Sequence, residues 1–508
     1  MSELSRAKNG LRNARTSFIF GLLLLVFGFF YRKILIEFLG LEFLGLNSTL
    51  TNLLGFLNLS ELGIGSAVAF SLYTPLFKKD YGAVNEIVSI QGWLYRRVAF
   101  VMLAGGCVLM CFFPWIFSKM ELPLWYAYAS FGVLLFSALL GYAANYRQIV
   151  LSANQQEYKL TYNVQGVRIL KQLLQIVGIG YLGQGYVYWL TVELVTAVIM
   201  CIALNKTIKH TFPWLKCNLQ KGKMLIRKYP ELLKKTKQVF FHRSAGYILG
   251  ETTPLVIYAF TSLSVVAVYG NYMLLVNSMS ILMNAPFNGL NAGVGSLVAE
   301  GQRVKIMAFF RQYTVIRYWM VSMICFCLFY LSPQFVTLWL GPQYLMDSTS
   351  FTWLIICAFL LLARTNESFI MAYGLYQDIY APMVEATLNL GLSILLGYYF
   401  DLPGMLCGVV ISQVTVIYCW KPYFLYTRGF QMPVVQYIVL MAKILILLFT
   451  GWGLARLMLG AGAECNSVIA FILLALKTAG VYGGVSFCIF MLFNGDFRMG
   501  MRRIWHLK

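Results

Sequence analysis

The sequence predicts an all-α integral membrane protein of about fourteen transmembrane helices. These form two pseudo-symmetric six-helix bundles around a central cavity, with two further helices at the C-terminal end. Three observations predict it: apolar runs that recur along the whole chain, a one-sided distribution of basic residues, and a duplicated helix. Of 508 residues, 59% are hydrophobic and 12% are charged, against roughly 25% charged in soluble domains.

Fourteen apolar runs, each near the roughly 20 residues that a bilayer-crossing helix needs, lie at 17–39, 43–72, 93–117, 124–150, 162–182, 186–205, 238–261, 266–298, 313–340, 350–376, 380–400, 403–426, 434–458 and 466–493. The first follows Arg6, Lys8, Arg12 and Arg15 but ends in FFYRK instead of small residues suited to cleavage, so it reads as a retained span. Six runs fall in an N-terminal bundle (1–205), six in a second bundle (238–427), and two in 428–508. Between the bundles, 206–237 holds ten Lys or Arg against one acid, Glu231. That composition suits a tether along the cytoplasmic face beside anionic lipids. Its stretch NLQKGKMLIRKYPELLKKTK (218–237) interleaves apolar residues with lysines, as a surface-lying segment does.

The net charge of +21 invites a nucleic-acid reading, but 34 of the 40 basic residues fall on alternate loops and helix ends of one side. The opposite side holds Arg32, Lys33, Lys119 and Arg456, while Lys443 and Lys477 lie within apolar runs. This is the positive-inside signature, and it places both termini in the cytoplasm. The eleven cysteines fall mostly inside the runs without CxxC spacing, which indicates small apolar groups rather than a metal site or a disulfide framework.

GIGSAVA at 63–69 returns as GVGSLVA at 293–299. Laid without gaps, residues 40–69 and 270–299 agree at ten of thirty positions, where unrelated stretches of this composition agree at roughly two. In the first copy Asn47, Thr51, Leu54, Asn58, Glu61 and Gly65 share one helix face. In the second, Asn277, Ile281, Asn284, Asn288, Asn291 and Gly295 hold the same register. Polar side chains in a span face protein or a wet cavity, although Gly and Ser also let helices pack closely. The copies are the second and eighth runs, so the repeating unit is six helices, an even number, and the repeat is parallel.

ELGIGSAVAFSLYTPLFKKD (61–80), VAVYGNYMLLVNSM (266–279) and GVGSLVAEG (293–301) resemble the polysaccharide and O-antigen flippase family. That family belongs to the superfamily that also holds MATE multidrug exporters and lipid II flippases. The resemblance runs from about residue 15 to 430 and marks family and fold but not the sugar carried. It implies a bacterial cytoplasmic (inner) membrane protein that moves a polyprenyl-pyrophosphate-linked oligosaccharide to the outer leaflet. Alternating access around the cavity would carry the substrate without covalent chemistry or a cofactor, in company with a glycan polymerase. Many relatives carry an Asp midway along the seventh helix, where this chain reads ETTPLVI (251–257).

A two-phosphate headgroup calls for fixed cations. Arg32 and Lys33 lie about 22 Å along the first run at 1.5 Å per residue, where a central charge costs about 2.5–3.5 kcal/mol on insertion scales. The alternative is snorkelling to the outer headgroups, with Lys33 paired to Glu37. Arg147 and Arg243 are placed to meet the headgroup from the cytoplasmic side, although positive-inside flanking also accounts for them. Asn47, Asn58, Asn277, Asn284, Asn288 and Asn291 supply hydrogen bonds to sugars. Glu61, Glu251 beside Pro254, and Glu193 are the embedded acids able to bind Na+ or H+, or to neutralise an arginine. Arg364 and Glu367, three apart, form an internal ion pair.

The rival reading is an ion-coupled MATE-like multidrug antiporter, whose cationic drugs favour an acidic, apolar cavity. An enzyme is disfavoured: there are three histidines and no GxSxG, HExxH or Walker A sequence.

Overall fold

The computed structural model describes residues 3–61, 63–233, 236, 240, 252–375, 380–460 and 467–506, without the side chains of 3–8, 10–11, 59–60, 285–286, 288–293, 296, 299 and 504–506. All regular structure among them is helical. Ten helical segments are long and apolar enough to cross a membrane, so the chain is a multi-pass membrane protein. It divides into two compact units, Met1–Ala267 and Val268–Lys508.

The first unit contains α1 (Glu3–Leu39), α2 (Leu41–Leu57), α3 (Ile64–Lys78), α4 (Tyr81–Cys111), α5 (Trp125–Ala144), α6 (Glu157–Gln175) and α7 (Tyr186–Thr211). Its core is apolar and aromatic: Leu35, Phe43, Leu50, Phe113, Phe131 and Trp189 are fully buried. Phe18, Leu22 and Phe30 of α1 are exposed, as lipid-facing side chains are. The predicted run 43–72 is not one helix. It breaks where α2 passes through a 3₁₀ turn at Asn58–Glu61 to Gly63, whose φ is +97°. A Cβ at Gly63 would lie 2.5 Å from the Thr236 carbonyl oxygen. Gly63→Ala therefore meets both a left-handed backbone and a clash. It is expected to cost at least about 1–2 kcal/mol, measured by thermal unfolding in detergent.

The tether is docked over part of its length. It packs on the N-terminal end of α4: Trp214 lies on Tyr81 with ring centroids 4.2 Å apart. Lys216 N–H donates to Asn85 Oδ1 (3.0 Å), Asn218 N–H donates to Ser89 Oγ (2.9 Å), and Lys228 Nζ meets Glu86 at 2.7 Å.

The second unit contains most of α8 (Leu263–Ala299), then α9 (Arg303–Trp339), α10 (Ser348–Leu362), α11 (Asn366–Ala372), α12 (Tyr380–Gln413), α13 (Val435–Leu459), α14 (Val468–Phe493) and α15 (Gly495–His506). The predicted run 350–376 is interrupted at Ala363–Thr365, which separates α10 from α11. The runs 380–400 and 403–426 lie within one stretch, Tyr380–Phe430. It reverses at the non-helical Phe400 and Asp401 and closes as a hairpin, with Asn389 Nδ2 donating to Ser412 Oγ (3.2 Å) and Ser393 Oγ to the Met405 carbonyl (3.1 Å). On α15, Phe497 is buried, while Arg498, Met499, Arg502 and Arg503 form an exposed stripe.

Candidate functional site

The break after α2 gathers the clearest polar cluster of the first unit. Tyr95 of α4 donates to Glu61 Oε1 (2.6 Å), and Tyr142 of α5 donates to Glu61 Oε2 (2.7 Å) while also facing Asn58 Oδ1 at 3.0 Å. The two rings meet edge to face at 5.3 Å. Asn58 and Glu61, three apart on the predicted stripe, are thus joined by one tyrosine. Farther up α2, the buried Asn47 Oδ1 has no partner among the described residues.

Arg32 reaches the Ala267 carbonyl oxygen through Nη2 at 3.5 Å, and its buried Nε has no partner among the described residues. Next to it, the Tyr31 hydroxyl accepts from Trp189 Nε1 at 2.9 Å. Lys33 and Glu37 are exposed, and no ion pair joins them among the described residues. Glu193 is 8% exposed; Lys171 neutralises it at 3.0 Å and Gln175 Nε2 donates to it at 3.1 Å, both from α6.

That contact exposes a feature the sequence reading missed. α6 runs alongside α1 in register: Asn13 holds the Tyr158 N–H (2.8 Å), Phe20 meets Tyr162 (5.4 Å), and Gly180 abuts Ile34. Arg168 and Lys171 therefore lie between the levels of Phe20 and Ile34, about 16–21 Å from the start of α6. Gln165, Arg168, Lys171, Gln172 and Gln175 share one face, opposite exposed Leu170, Leu173 and Val177. Arg168 is exposed, with Gln165 Oε1 at 3.5 Å, while Gln172 Oε1 and Gln175 Oε1 are buried without partners. The available signal was the polarity of 157–175, which keeps α6 out of the ten apolar segments.

Arg147, at the end of α5, is turned to the Tyr146 hydroxyl (3.1 Å) and to Cys217, whose thiol burial pushes up to about 11. Arg243 and Glu251 lie outside the described residues.

In the second unit the stripe residue Asn277 is exposed. The side chains of Asn288 and Asn291 lie outside the described residues. Asn284 Oδ1 instead accepts from Arg317 Nη2 at 3.0 Å. Arg317, 7% exposed, also donates through Nε to the Leu362 carbonyl (2.9 Å) and through Nη1 to Tyr313 (3.3 Å), and it lies 5.0 Å from the Phe287 ring centre. The α10–α11 break thus has its free carbonyl satisfied by a cation. Beside it the predicted Arg364–Glu367 pair forms at 3.6 Å, within a larger network. Arg364 also faces Glu385 (3.7 Å), and Lys421 meets Glu367 at 2.6 Å. A cleft of about 630 Å³ lies nearby, lined by Phe359, Val414, Ile438, Met441 and Leu445, with Tyr318, Tyr418 and Tyr437 among its walls.

No family profile matches this chain, and no curated protein matches it in sequence. Solved structures do match in shape. The lipid II flippase MurJ in an inward closed conformation superposes with a TM-score of 0.67 at 13% identity, covering 94% of this chain and 98% of that one. An inward-facing multidrug resistance MATE family transporter of the MOP superfamily gives a TM-score of 0.59 at 14% identity, covering 80% and 95%. The chain has the fold of these transporters.

Proposed function

We propose that the protein is a flippase that translocates a polyprenyl-pyrophosphate-linked oligosaccharide from the cytoplasmic to the outer leaflet by alternating access, in O-antigen, capsule or exopolysaccharide assembly. The observation that carries this reading is the sign of the embedded charge. In the first unit's apolar runs Arg32, Lys33, Arg168 and Lys171 stand against Glu37, Glu61 and Glu193. In the second unit Arg317, Arg364 and Lys421 stand against Glu367 and Glu385. Among the described residues both units carry a cationic surplus where charge is costly, which suits a diphosphate headgroup and repels cationic drugs. The apolar cleft suits a prenyl chain, with tyrosine hydroxyls available to its polar end.

In this reading Arg32, Lys33, Arg168, Arg147 and Arg243 meet the headgroup, and Asn47, Asn58, Asn277, Asn284, Asn288 and Asn291 meet the glycan. Glu61, Glu251 and Glu193 are the acids open to ion coupling. The membrane is a bacterial inner membrane with both termini cytoplasmic. The tether and the arginine stripe of α15 face anionic lipids, and a glycan polymerase receives the product.

The test is flipping of a labelled polyprenyl-pyrophosphate oligosaccharide in proteoliposomes. Arg168→Gln, which breaks no ion pair among the described residues, is expected to lower the rate roughly ten- to hundredfold, the equivalent of one charge-assisted hydrogen bond, with unfolding unchanged. Intact protein that flips nothing but exports a cationic dye under an ion gradient would overturn the assignment in favour of a drug antiporter.

A further inference from the structure

The last membrane-crossing helix carries one charge, and the chain leaves it unanswered. Lys477 is the single charged residue of α14. Nine residues precede it in that helix and sixteen follow, which at 1.5 Å per residue puts its Cα about 14 Å from one end and about 24 Å from the other. Packing settles which way it points. Leu474, Thr478, Tyr482 and Ser486 are buried. The Tyr482 hydroxyl bonds Ser322 of α9, the Tyr482 ring stacks on Phe326 at 4.3 Å, and Trp319 Nε1 donates to Ser486 Oγ at 3.0 Å. The face so turned outward holds Leu473, Lys477, Gly480, Gly484 and Cys488, all exposed. No ion pair or hydrogen bond reaches the Lys477 ammonium among the described residues.

We propose that this face of α14 docks a transmembrane helix of a different protein, one that carries an aspartate or glutamate level with Lys477 and crosses over Gly480 and Gly484. Lipid suits the face except at the charge. A lysine stem spans roughly half of the distance to the nearer helix end, and Val468, Ile469 and Ile472 on that stretch are apolar and more than half exposed. Charge complementarity therefore selects the partner: an ammonium among apolar side chains is costly, and a carboxylate relieves it. Gly480 and Gly484, four apart, have open space where a Cβ would stand, the pattern that lets two helices approach closely in a membrane. A second copy of this chain does not supply the acid. α13 and α14 together hold Lys443, Arg456 and Lys477 and no carboxylate, and a two-fold contact through α14 would set like charges face to face. Glu37, exposed on α1, lies two residues from the end of its helix, whereas Lys477 lies nine residues inside its own. The inference concerns assembly and holds whichever substrate the protein carries.

The test is binding of a synthetic transmembrane peptide to the full chain in phosphatidylcholine vesicles. The peptide is built of leucine and alanine with glycines four apart and one central glutamate, and its twin has glutamine there. Energy transfer from the protein's tryptophans to a coumarin on the peptide, competed by unlabelled peptide, reads the binding. The glutamate peptide is expected to bind about tenfold more tightly than its twin, and Lys477→Leu should abolish that preference while leaving thermal unfolding unchanged. Gly484→Leu should weaken both peptides by closing the approach. Lys477→Glu should transfer the preference to a peptide with a central lysine. Equal binding of the two peptides, or a preference that survives Lys477→Leu, would overturn the proposal. So would a preference lost once phosphatidylglycerol is added, which would assign Lys477 to lipid phosphate, or self-association of the chain that excludes the peptide, which would assign the face to a second copy.

Discussion

Arg317→Met is expected to destabilise the protein by about 3–5 kcal/mol, the penalty for removing one partner of a buried charged network. Arg317 is 7% exposed and satisfies three groups at once: the Leu362 carbonyl at the α10–α11 break, the Asn284 amide oxygen and the Tyr313 hydroxyl. Methionine matches the length but donates nothing, so a helix-terminal carbonyl and the half-buried Asn284 amide oxygen lose this donor. Arg317→Lys should recover only part of the loss, since an ammonium cannot span the planar fork of contacts that the guanidinium makes. Denaturant unfolding in detergent checks both. A cost below about 1 kcal/mol for the methionine variant would show that water reaches these groups.

Lys171→Met is expected to cost a similar amount, about 3–5 kcal/mol, by leaving Glu193 buried with Gln175 as its remaining described donor. The sign of this effect is diagnostic. If Lys171 serves mainly to neutralise Glu193, the double variant Lys171→Met/Glu193→Gln should recover most of the stability, because no uncompensated charge remains. A double variant no better than the single one would show that the lysine acts elsewhere. Flipping by the double variant then separates structure from function: stability recovered with flipping still lost would place Lys171 with Arg168 in headgroup binding.

The all-α membrane class was legible from composition and the recurring apolar runs, because transfer of apolar area into lipid depends on side chains one by one. The repeat was legible for a related reason, since a helix face is written at fixed spacing. Element ends were less so. At the break in the run 43–72 the polar Asn58, Ser60 and Glu61 read as part of a helix stripe, whereas the break itself depends on Gly63 adopting φ +97° against the Thr236 carbonyl. Sequence spacing also found Arg364 and Glu367, but not Glu385 or Lys421, which complete their network from 18 and 54 positions farther along the chain.

Charge depth divided the two levels most sharply. The sequence by itself determined that this chain crosses a bilayer many times and that the phrase at 63–69 returns at 293–299. Only the tertiary structure decided that Lys171 pairs with Glu193, that Arg317 reaches Asn284, and that Glu61 belongs with Tyr95 and Tyr142. The physical reason is that hydropathy sums over neighbours in sequence. The energy of a charge in a membrane is instead set by neighbours in space, and those come from other helices.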